Sequence, residues 1–280
     1  MYHEKMYLTP RITASDSPYL TSKNTGLGNV LFQIASCYGM AKDTGRIAVW
    51  NKLHEFGVKL RTSFGFNHAD TIFRNCVATA DVSFCQIKED AIFDYNAGLI
   101  AYLKESPQPI EIFGHLECIQ YFNAYRDEIV QLFSPDKDSL ERIRASCPVL
   151  FDSSYTPVSI HFRGNEYLRV SYIRRPWDYY YYYRAIQHIK QIIKNPIFLV
   201  FSDDMENIDE SLFEECGTYQ KMTSQGDDYM DLWCLSLCKH SIVSHSTFSF
   251  WGAYLNSNPE KIVLCNRNEV KPYHAFFTTI

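Results

Sequence analysis

The sequence predicts an α/β protein with parallel, doubly wound sheets, and three observations lead to this prediction. Predicted strands alternate with predicted helices throughout the second half of the chain, which is the pattern of parallel sheets. A loop–helix–strand unit opens the first half, at residues 25–50. Turn-rich residues 146–157 (SCPVLFDSSYTP) separate the halves. We therefore predict two α/β domains, residues 1–150 and 151–280, with a cleft between them.

The elements of the first half are short and mixed. A glycine-containing loop precedes a helix whose apolar residues recur at helical spacing and which ends at Thr44-Gly45. Ser134 is a predicted N-cap, with Pro135 in the first turn of the helix that follows. The predicted strands cover residues 47–50 and 108–114, and the predicted helices cover residues 30–45, 121–133 and 136–145.

The second half is more regular. Its predicted strands cover residues 158–162, 196–201, 242–244 and 261–265, and its predicted helices cover residues 178–194, 231–238 and 246–256. Five consecutive tyrosines, residues 179–183, begin the first of these helices. Because five successive helical positions cannot share one face, some rings must reach the surface or a cleft. The run therefore indicates either packing against the sheet or an aromatic cleft wall.

Composition excludes several classes of protein. The chain of 280 residues is 46% hydrophobic and 21% charged, as is typical of a soluble globular protein. Its net charge of −5 argues against a nonspecific nucleic-acid or anionic-membrane surface. No apolar run reaches the roughly 18 residues of a membrane span, and the N-terminus lacks the apolar stretch of a signal peptide. We therefore expect a cytoplasmic protein.

The nine cysteines cannot all pair, and none of them form a C-x-x-C motif. Cys234 and Cys238 are four residues apart, with no nearby pair to complete a zinc site. We expect free, mostly buried thiols of a reducing cytosol.

A hydroxyl-rich turn follows the short strand at residues 242–244. Ser246, Thr247, Phe248 and Ser249 form this turn and open the next helix. Hydroxyls and backbone N–H groups at a helix N-terminus bind anions, and ligands of parallel sheets lie beyond the carboxyl ends of the strands. We expect this end of the protein to hold a phosphate of a nucleotide diphosphate.

Two further strand ends carry charged residues. Arg163 follows the strand at residues 158–162, in a glycine-containing loop, and a guanidinium there suits a diphosphate. The alternative is a surface loop with a local Arg163–Glu166 pair. Asp203 and Asp204 follow the strand at residues 196–201. Their carboxylates could accept hydrogen bonds from a base or a ribose, or could cap a helix.

Two weaker patterns lie elsewhere. Gly26 and Gly28 could bring the backbone close to a ligand, or form a plain tight turn. A dinucleotide oxidoreductase is disfavoured, because no strand precedes them and the third glycine of G-x-G-x-x-G is missing. Asp136-Lys137-Asp138 matches the D-x-D of metal-dependent transferases, but acids at a helix start are also favoured by the helix dipole.

Five blocks, in order along residues 24–265, resemble the alpha-1,2-fucosyltransferase family, glycosyltransferase family 11. The second block resembles the family pattern G-[YF]-x-Q-[SN]-x-x-Y-F, and the last block is long and specific. The blocks are residues 26–33 (GLGNVLFQ), 114–122 (GHLECIQYF), 161–167 (HFRGNEY), 201–204 (FSDD) and 235–256 (LSLCKHSIVSHSTFSFWGAYLN).

The resemblance implies a GT-B-like fold, in which two Rossmann-like domains face a central cleft. Residues 1–150 would form the acceptor-side domain and residues 151–280 the donor-binding domain. The activity implied is inverting, metal-independent transfer of L-fucose from GDP-fucose to a hydroxyl of a glycan acceptor, with an alpha-1,2 linkage. Neither a cofactor nor a metal is expected, and nucleic acid is not an expected partner.

The resemblance also implies roles for residues at matching positions. Arg163 would bind the donor diphosphate with support from His161, and Glu166 is the carboxylate best placed to act as a base. The donor would also contact Ser246, Thr247, Phe248 and Ser249, and Asp203 and Asp204 would lie near the nucleoside. The cleft would be lined by Gly26, Gly28 and Asn29, and Asn29 would orient the acceptor.

The blocks depart from the family patterns at several positions. Thr25 replaces a glycine and Val30 a glutamine, while Gly164 replaces the second arginine of H-x-R-R-G-D-[YF]. Transfer of another nucleotide-linked deoxyhexose therefore stays open, and so does a binding-only protein that has kept the fold. The acceptor glycan and the oligomeric state also stay open.

Overall fold

A computed structural model describes residues 5–12, 26–51, 53, 68–163, 179–222, 227–267, 272 and 277–280 of the chain. The chain divides into two compact units, Met1–Ser134 and Pro135–Ile280. Each unit contains one sheet whose described strands all pair in parallel. The predicted α/β class is therefore confirmed.

The first unit has a four-stranded sheet in the order β2-β1-β4-β3. Its strands are β1 (Tyr7–Pro10), β2 (Ile47–Ala48), β3 (Cys85–Lys88) and β4 (Ile110–Phe113). Its helices are α1 (Leu27–Thr44), α2 (Ala97–Glu105) and α3 (Arg126–Phe133).

Helix α1 is the most buried helix of this unit, and glycines mark its two ends. Gly26 is its N-cap, and Gly45 ends it in the left-handed conformation, with φ of 68°, as the Thr44-Gly45 signal predicts. A third glycine, Gly39, allows close packing, because a Cβ there would lie 1.9 Å from the carbonyl oxygen of Tyr121. The helix therefore lies directly on the backbone of the segment that follows β4.

The second unit has a six-stranded sheet in the order β10-β9-β8-β5-β6-β7. Its strands are β5 (Thr156–Phe162), β6 (Pro196–Ser202), β7 (Tyr219–Met222), β8 (His240–Val243), β9 (Val263–Cys265) and β10 (Thr278–Thr279). Its helices are α4 (Lys137–Ser146), α5 (Tyr179–Ile192), α6 (Glu210–Cys216), α7 (Asp228–Leu237) and α8 (Thr247–Leu255).

The order of the second sheet reverses beside β5. The chain runs from β5 to β6 and β7 on one side, and then returns to pair β8 with the other side of β5. Such a reversal leaves a crevice beyond the carboxyl ends of the two strands, where ligands of open parallel sheets bind. The central strands β5, β6 and β8 are almost entirely buried, as strands of a sheet covered on both faces are.

Residues 135–150 group with the second unit, whereas the sequence analysis placed the boundary after them. The reason is side-chain packing of the α4 region against the end of β7 and the start of α7. Arg142 lies 3.0 Å from the Asp227 carboxylate, and the Cys147 thiol contacts the sulfur of Met222 at 3.9 Å. The turn-rich composition of residues 146–157 marks a connection within this unit.

Other predicted elements differ in detail. Asp136 is the N-cap of α4, since its carboxylate accepts a hydrogen bond from the Ser139 N–H at 2.8 Å, so the prediction of Ser134 was wrong. The predicted helix at residues 121–133 contains a 3₁₀ turn, Asn123–Tyr125, before α3 begins. Strands β1, β3, β7 and β10 and helix α2 were not predicted from the sequence.

All nine cysteines are free, and eight of them are buried, as expected. Among the described helices, none combines the length and the apolar character that a membrane crossing needs.

Candidate functional site

Three neighbouring strand ends of the second sheet carry the polar residues singled out from the sequence. Arg163 follows β5, Asp203 follows β6, and Ser244 follows β8. Because β6 and β8 pair in parallel with opposite sides of β5, these residues share one edge of the sheet. That edge includes the position where the strand order reverses, so it is the candidate site.

Arg163 and Asp203 form an ion pair across two of these strand ends. Nη1 of Arg163 lies 3.1 Å from Oδ2 of Asp203, and the two side chains are 20% and 28% exposed. The pair is therefore half-buried, close enough to solvent for an anion to reach the guanidinium. Glu166, the other predicted partner of Arg163, lies outside the described residues.

His161 lies in β5 beneath this edge and is 4% exposed. Its Nδ1 is 2.9 Å from the hydroxyl of Ser244, and its ring centroid is 5.5 Å from that of Phe248. Burial, reinforced by the nearby Arg163 and His245 and opposed by Asp203, lowers the pKa of His161 from 6.5 to about 3. The imidazole is therefore neutral at physiological pH and holds the turn that follows β8.

The turn after β8 is shaped by two serines. The hydroxyl of Ser246, the N-cap of α8, accepts a hydrogen bond from the Phe248 N–H at 3.3 Å. The hydroxyl of Ser249 accepts one from the Ser244 N–H at 3.1 Å and is almost fully buried. Thr247 and Phe248 are half-buried. The N-terminus of α8 is thus fixed at the ligand edge of the sheet.

The tyrosines at the start of α5 differ in burial, because successive residues of a helix face different directions. The hydroxyl of Tyr181 donates to the carbonyls of Val243 and Leu264 at 2.7 and 2.8 Å. The hydroxyl of Tyr182 donates to the carbonyl of His161 at 3.0 Å. Tyr180, in contrast, is 72% exposed. The packing interpretation is confirmed for the two buried rings, which hold strand ends at the candidate site.

Asp203 and Asp204 do not cap the helix that follows them. The N-cap of α6 is Asp209, whose carboxylate accepts from the Ser211 N–H. Asp204 precedes a short 3₁₀ turn without a side-chain cap, and its own N–H donates to the hydroxyl of Ser202 at 2.9 Å. The helix-cap alternative for the two aspartates is therefore wrong.

In the first unit, Gly26, Gly28 and Asn29 lie at the start of α1. The same helix holds the turn that follows β4. The Gln33 side-chain amide donates to the carbonyl of Gly114 at 2.9 Å, and the Ser36 hydroxyl donates to the carbonyl of Leu116 at 2.8 Å. The blocks at residues 26–33 and 114–122 therefore meet within this unit.

Several residues of these regions were missed by the sequence analysis. Ser244, Gln33 and Glu117 lie inside the quoted blocks, but their chemistry depends on partners that are distant in sequence. Ser36 was missed for the same reason.

Asp136 of the D-x-D pattern serves as the cap of α4. Within the described residues, His, Cys, Asp and Glu side chains form no group of three or more that could hold a metal ion.

The curated proteins that are similar to this chain include three transferases. The O-antigen biosynthesis glycosyltransferase WbnK of Escherichia coli is 28% identical over 56% of the chain and 54% of its own length, so the match spans about half of that relative. The alpha-1,2-colitosyltransferase of Escherichia coli is 26% identical over 83% of the chain and 85% of its length. Galactoside alpha-(1,2)-fucosyltransferase 2 of Oryctolagus cuniculus is 23% identical over 99% of the chain and 77% of its length.

Among solved structures, the fold is similar to that of the fucosyltransferase NodZ from Bradyrhizobium. NodZ soaked with GDP-fucose superposes with a TM-score of 0.53 at 14% identity, covering 95% of this chain and 97% of NodZ. At this identity the likeness concerns the fold.

The family model described as "Glycosyl transferase family 11" matches residues 86–276. This match includes all three strand ends of the candidate site and about two thirds of the chain. The chain therefore belongs to glycosyl transferase family 11 and is a glycosyltransferase that resembles the alpha-1,2-fucosyltransferases.

Proposed function

We propose that this protein transfers L-fucose from GDP-fucose to a sugar hydroxyl, with inversion, without a metal, and with an alpha-1,2 linkage. One observation carries the proposal: Arg163, Asp203 and the N-terminus of α8 converge at the edge where the second sheet reverses its strand order. A guanidinium and a helix N-terminus are both suited to a nucleotide diphosphate. The second unit would therefore bind the donor, and the first unit the acceptor.

In this proposal Arg163 carries the diphosphate. Its pairing with Asp203 fixes the guanidinium at the strand end, because Nη1 lies 3.1 Å from Oδ2 of Asp203. Solvent screens the attraction between half-buried charges less than the attraction between exposed charges. The donor phosphate would therefore meet a guanidinium that is already oriented, without a large cost of ordering a long side chain.

The N-terminus of α8 would supply a second source of positive potential. The helix dipole and the first backbone N–H groups favour an anion there. Ser246 and Ser249 keep this turn in place through the hydrogen bonds to Phe248 and Ser244. Thr247 and Phe248 are more exposed than the two serines, so we propose that they contact the donor directly.

His161 would act as a neutral scaffold for this turn. Its depressed pKa removes positive charge, so attraction to the phosphates would come from Arg163 and the helix. Its contact with Ser244 links β5 to the turn after β8. Asp203 and Asp204 would accept hydrogen bonds from the nucleoside, since carboxylates accept from base N–H groups and ribose hydroxyls.

The reaction itself would displace GDP as the acceptor hydroxyl attacks the opposite face of the sugar. The anomeric carbon gains oxocarbenium character, and negative charge accumulates on the departing diphosphate. A fixed guanidinium and helix N–H groups stabilise that charge more in the transition state than in the ground state. In the first unit, Asn29 would orient the acceptor. Glu166, whose role was inferred from the sequence, stays the proposed base.

A second donor is supported by one comparison. The Escherichia coli relative named alpha-1,2-colitosyltransferase matches most of this chain. The single arginine of the HFRGNEY block, where the family pattern has two, also favours a changed donor site. A competition assay between GDP-fucose and the corresponding GDP-linked colitose would separate the two donors.

Calorimetric titration with GDP, UDP, GDP-fucose and GDP-mannose, with and without EDTA, tests the proposal. We expect GDP to bind equally well with EDTA present, and GDP-fucose to bind more tightly than GDP-mannose. A preference for UDP would refute GDP-fucose as the donor. If no nucleotide bound, the protein would be better explained as a binding-only member of the family. A cytoplasmic location stays a prediction from the sequence.

A further inference from the structure

The turn after β4 contains a buried carboxyl group with an unused oxygen. Glu117 is 5% exposed, and its Oε2 has no hydrogen-bond partner among the described residues. The other oxygen, Oε1, lies 3.7 Å from Nδ1 of His115, which is too far for a hydrogen bond. Buried polar atoms are nearly always paired, so one without a partner among the described residues needs an explanation.

A second acceptor without a described partner belongs to helix α1, which contacts this turn. Gln33 is 5% exposed, and its Nε2 donates to the carbonyl of Gly114, which fixes the orientation of the amide. Its Oε1 also has no hydrogen-bond partner among the described residues. The amide cannot be reversed to satisfy Oε1, since its oxygen would then face the carbonyl oxygen of Gly114.

The turn that carries Glu117 is held rigidly in an unusual conformation. Leu116 has a φ of 56°, which a non-glycine residue seldom adopts unless its surroundings enforce it. The Ser36 hydroxyl donates to the carbonyl of Leu116. At Gly114 a Cβ would lie 2.6 Å from the carbonyl oxygen of Glu89. The direction of Glu117 is therefore imposed by the backbone around it.

Two acceptor oxygens with no donor among the described residues suit a ligand rich in donors, and sugar hydroxyls are such donors. We propose that Gln33 Oε1 and Glu117 Oε2 form an acceptor-sugar subsite that accepts hydrogen bonds from hydroxyls of a galactoside. This inference rests on the proposed function, and assigns the acceptor half of it to two named atoms. It also explains why two of the sequence blocks meet at this turn.

Substitution of Glu117 by methionine and by glutamine tests the subsite, with lactose as the probe. Glu117→Met removes both carboxyl oxygens but keeps the length of the side chain. Glu117→Gln keeps one oxygen acceptor, and glutamine is the residue of the family pattern at this position. Lactose binding is measured by ligand-observed NMR titration in the presence of saturating GDP.

We expect Glu117→Met to weaken lactose binding by about tenfold or more, because a sugar hydroxyl would be left without its hydrogen-bond acceptor. Glu117→Gln is expected to stay within about threefold of the wild type, because one acceptor oxygen is retained. Equal lactose binding by wild type and Glu117→Met would overturn the subsite. So would a wild-type protein that binds GDP but not lactose.

Glu89→Met is the matched control, since Glu89 is also buried in the first unit. Its two carboxylate oxygens accept from the Ala91 N–H at 2.7 Å and from the Asn96 side chain at 2.8 Å. Thermal melts should show a loss of stability for Glu89→Met and none for Glu117→Met. A Glu117→Met protein that melts much earlier or does not fold would also overturn the inference, because Glu117 would then be structural.

The GDP titration separates failure of this inference from failure of the proposed function. If the wild type does not bind GDP, the donor half of the proposed function fails, whatever the lactose titration shows. If GDP binds equally well to wild type and both Glu117 variants, differences in lactose binding report on the subsite.

Discussion

The buried imidazole of His161 makes the second unit sensitive to mild acid. Its pKa falls from 6.5 to about 3 on folding, mainly through burial. The folded state therefore keeps the ring neutral in a pH range where the unfolded chain binds a proton. Stability that is fully present above pH 6.5 is lost as the pH falls towards 3. At pH 5, one and a half units below the ordinary pKa, the loss is about 2 kcal/mol.

The variant His161→Asn isolates this contribution. An asparagine amide can take the place of Nδ1 beside the Ser244 hydroxyl, which lies 2.9 Å away, but it does not titrate. The variant should be less stable than the wild type at pH 7, because the ring contact with Phe248 is lost. The difference should shrink by about 2 kcal/mol at pH 5.

Urea unfolding at pH 7, 6 and 5, followed by tryptophan fluorescence, measures both proteins. All other titrating groups are common to the two, so the difference between their pH dependences reports on His161. Curves that stay parallel within about 0.5 kcal/mol over this range would refute the reasoning. They would show that the folded protein accommodates the charged imidazole.

Three further substitutions test the site and the fold. Arg163→Ala should lower the transfer rate at least a hundredfold, for about 3 kcal/mol of lost charge stabilisation, and weaken GDP binding. Arg142→Ala, which breaks an arginine–aspartate pair of similar length in the same unit, should leave the transfer rate and GDP binding unchanged. Equal losses in the two variants would contradict the role assigned to Arg163. Ser246→Ala should cost about 1 kcal/mol of stability and weaken GDP binding in calorimetry, whereas Asp136→Ala should cost as much stability without affecting GDP. Gly39→Ala should cost about 1–3 kcal/mol or more of stability by overpacking, since its Cβ would lie 1.9 Å from a carbonyl oxygen. The loss should appear as a lower melting temperature, and an unchanged melting temperature would refute the close contact.

The second unit was predicted well because its strands are long and apolar. β5 and β6 each contain seven residues that are almost all buried, and turn residues bound them. Parallel strands of this kind stand out as continuous apolar runs. The charged residues that follow them are conspicuous by contrast, which is why the sequence analysis singled out Arg163 and Asp203.

The first unit was predicted less well because its strands carry little local signal. β2 has two residues, and β3 has four that are at most half-buried. Segments this short cannot be distinguished from loops by periodicity. Their strand character comes from pairing with neighbours that are remote in the chain, as when β3 pairs with β4.

The residues that were missed share a physical reason with these strands. Gln33 and Gly114 are 81 positions apart in sequence, and His161 and Ser244 are 83 apart, so no local pattern reports their contact. A charged group beyond a strand end can be identified by its chemistry alone. A buried group such as Glu117 is informative only once the structure shows which of its atoms have partners. The proposed donor site, built on charge, was therefore accessible from sequence, whereas the proposed acceptor subsite required the fold.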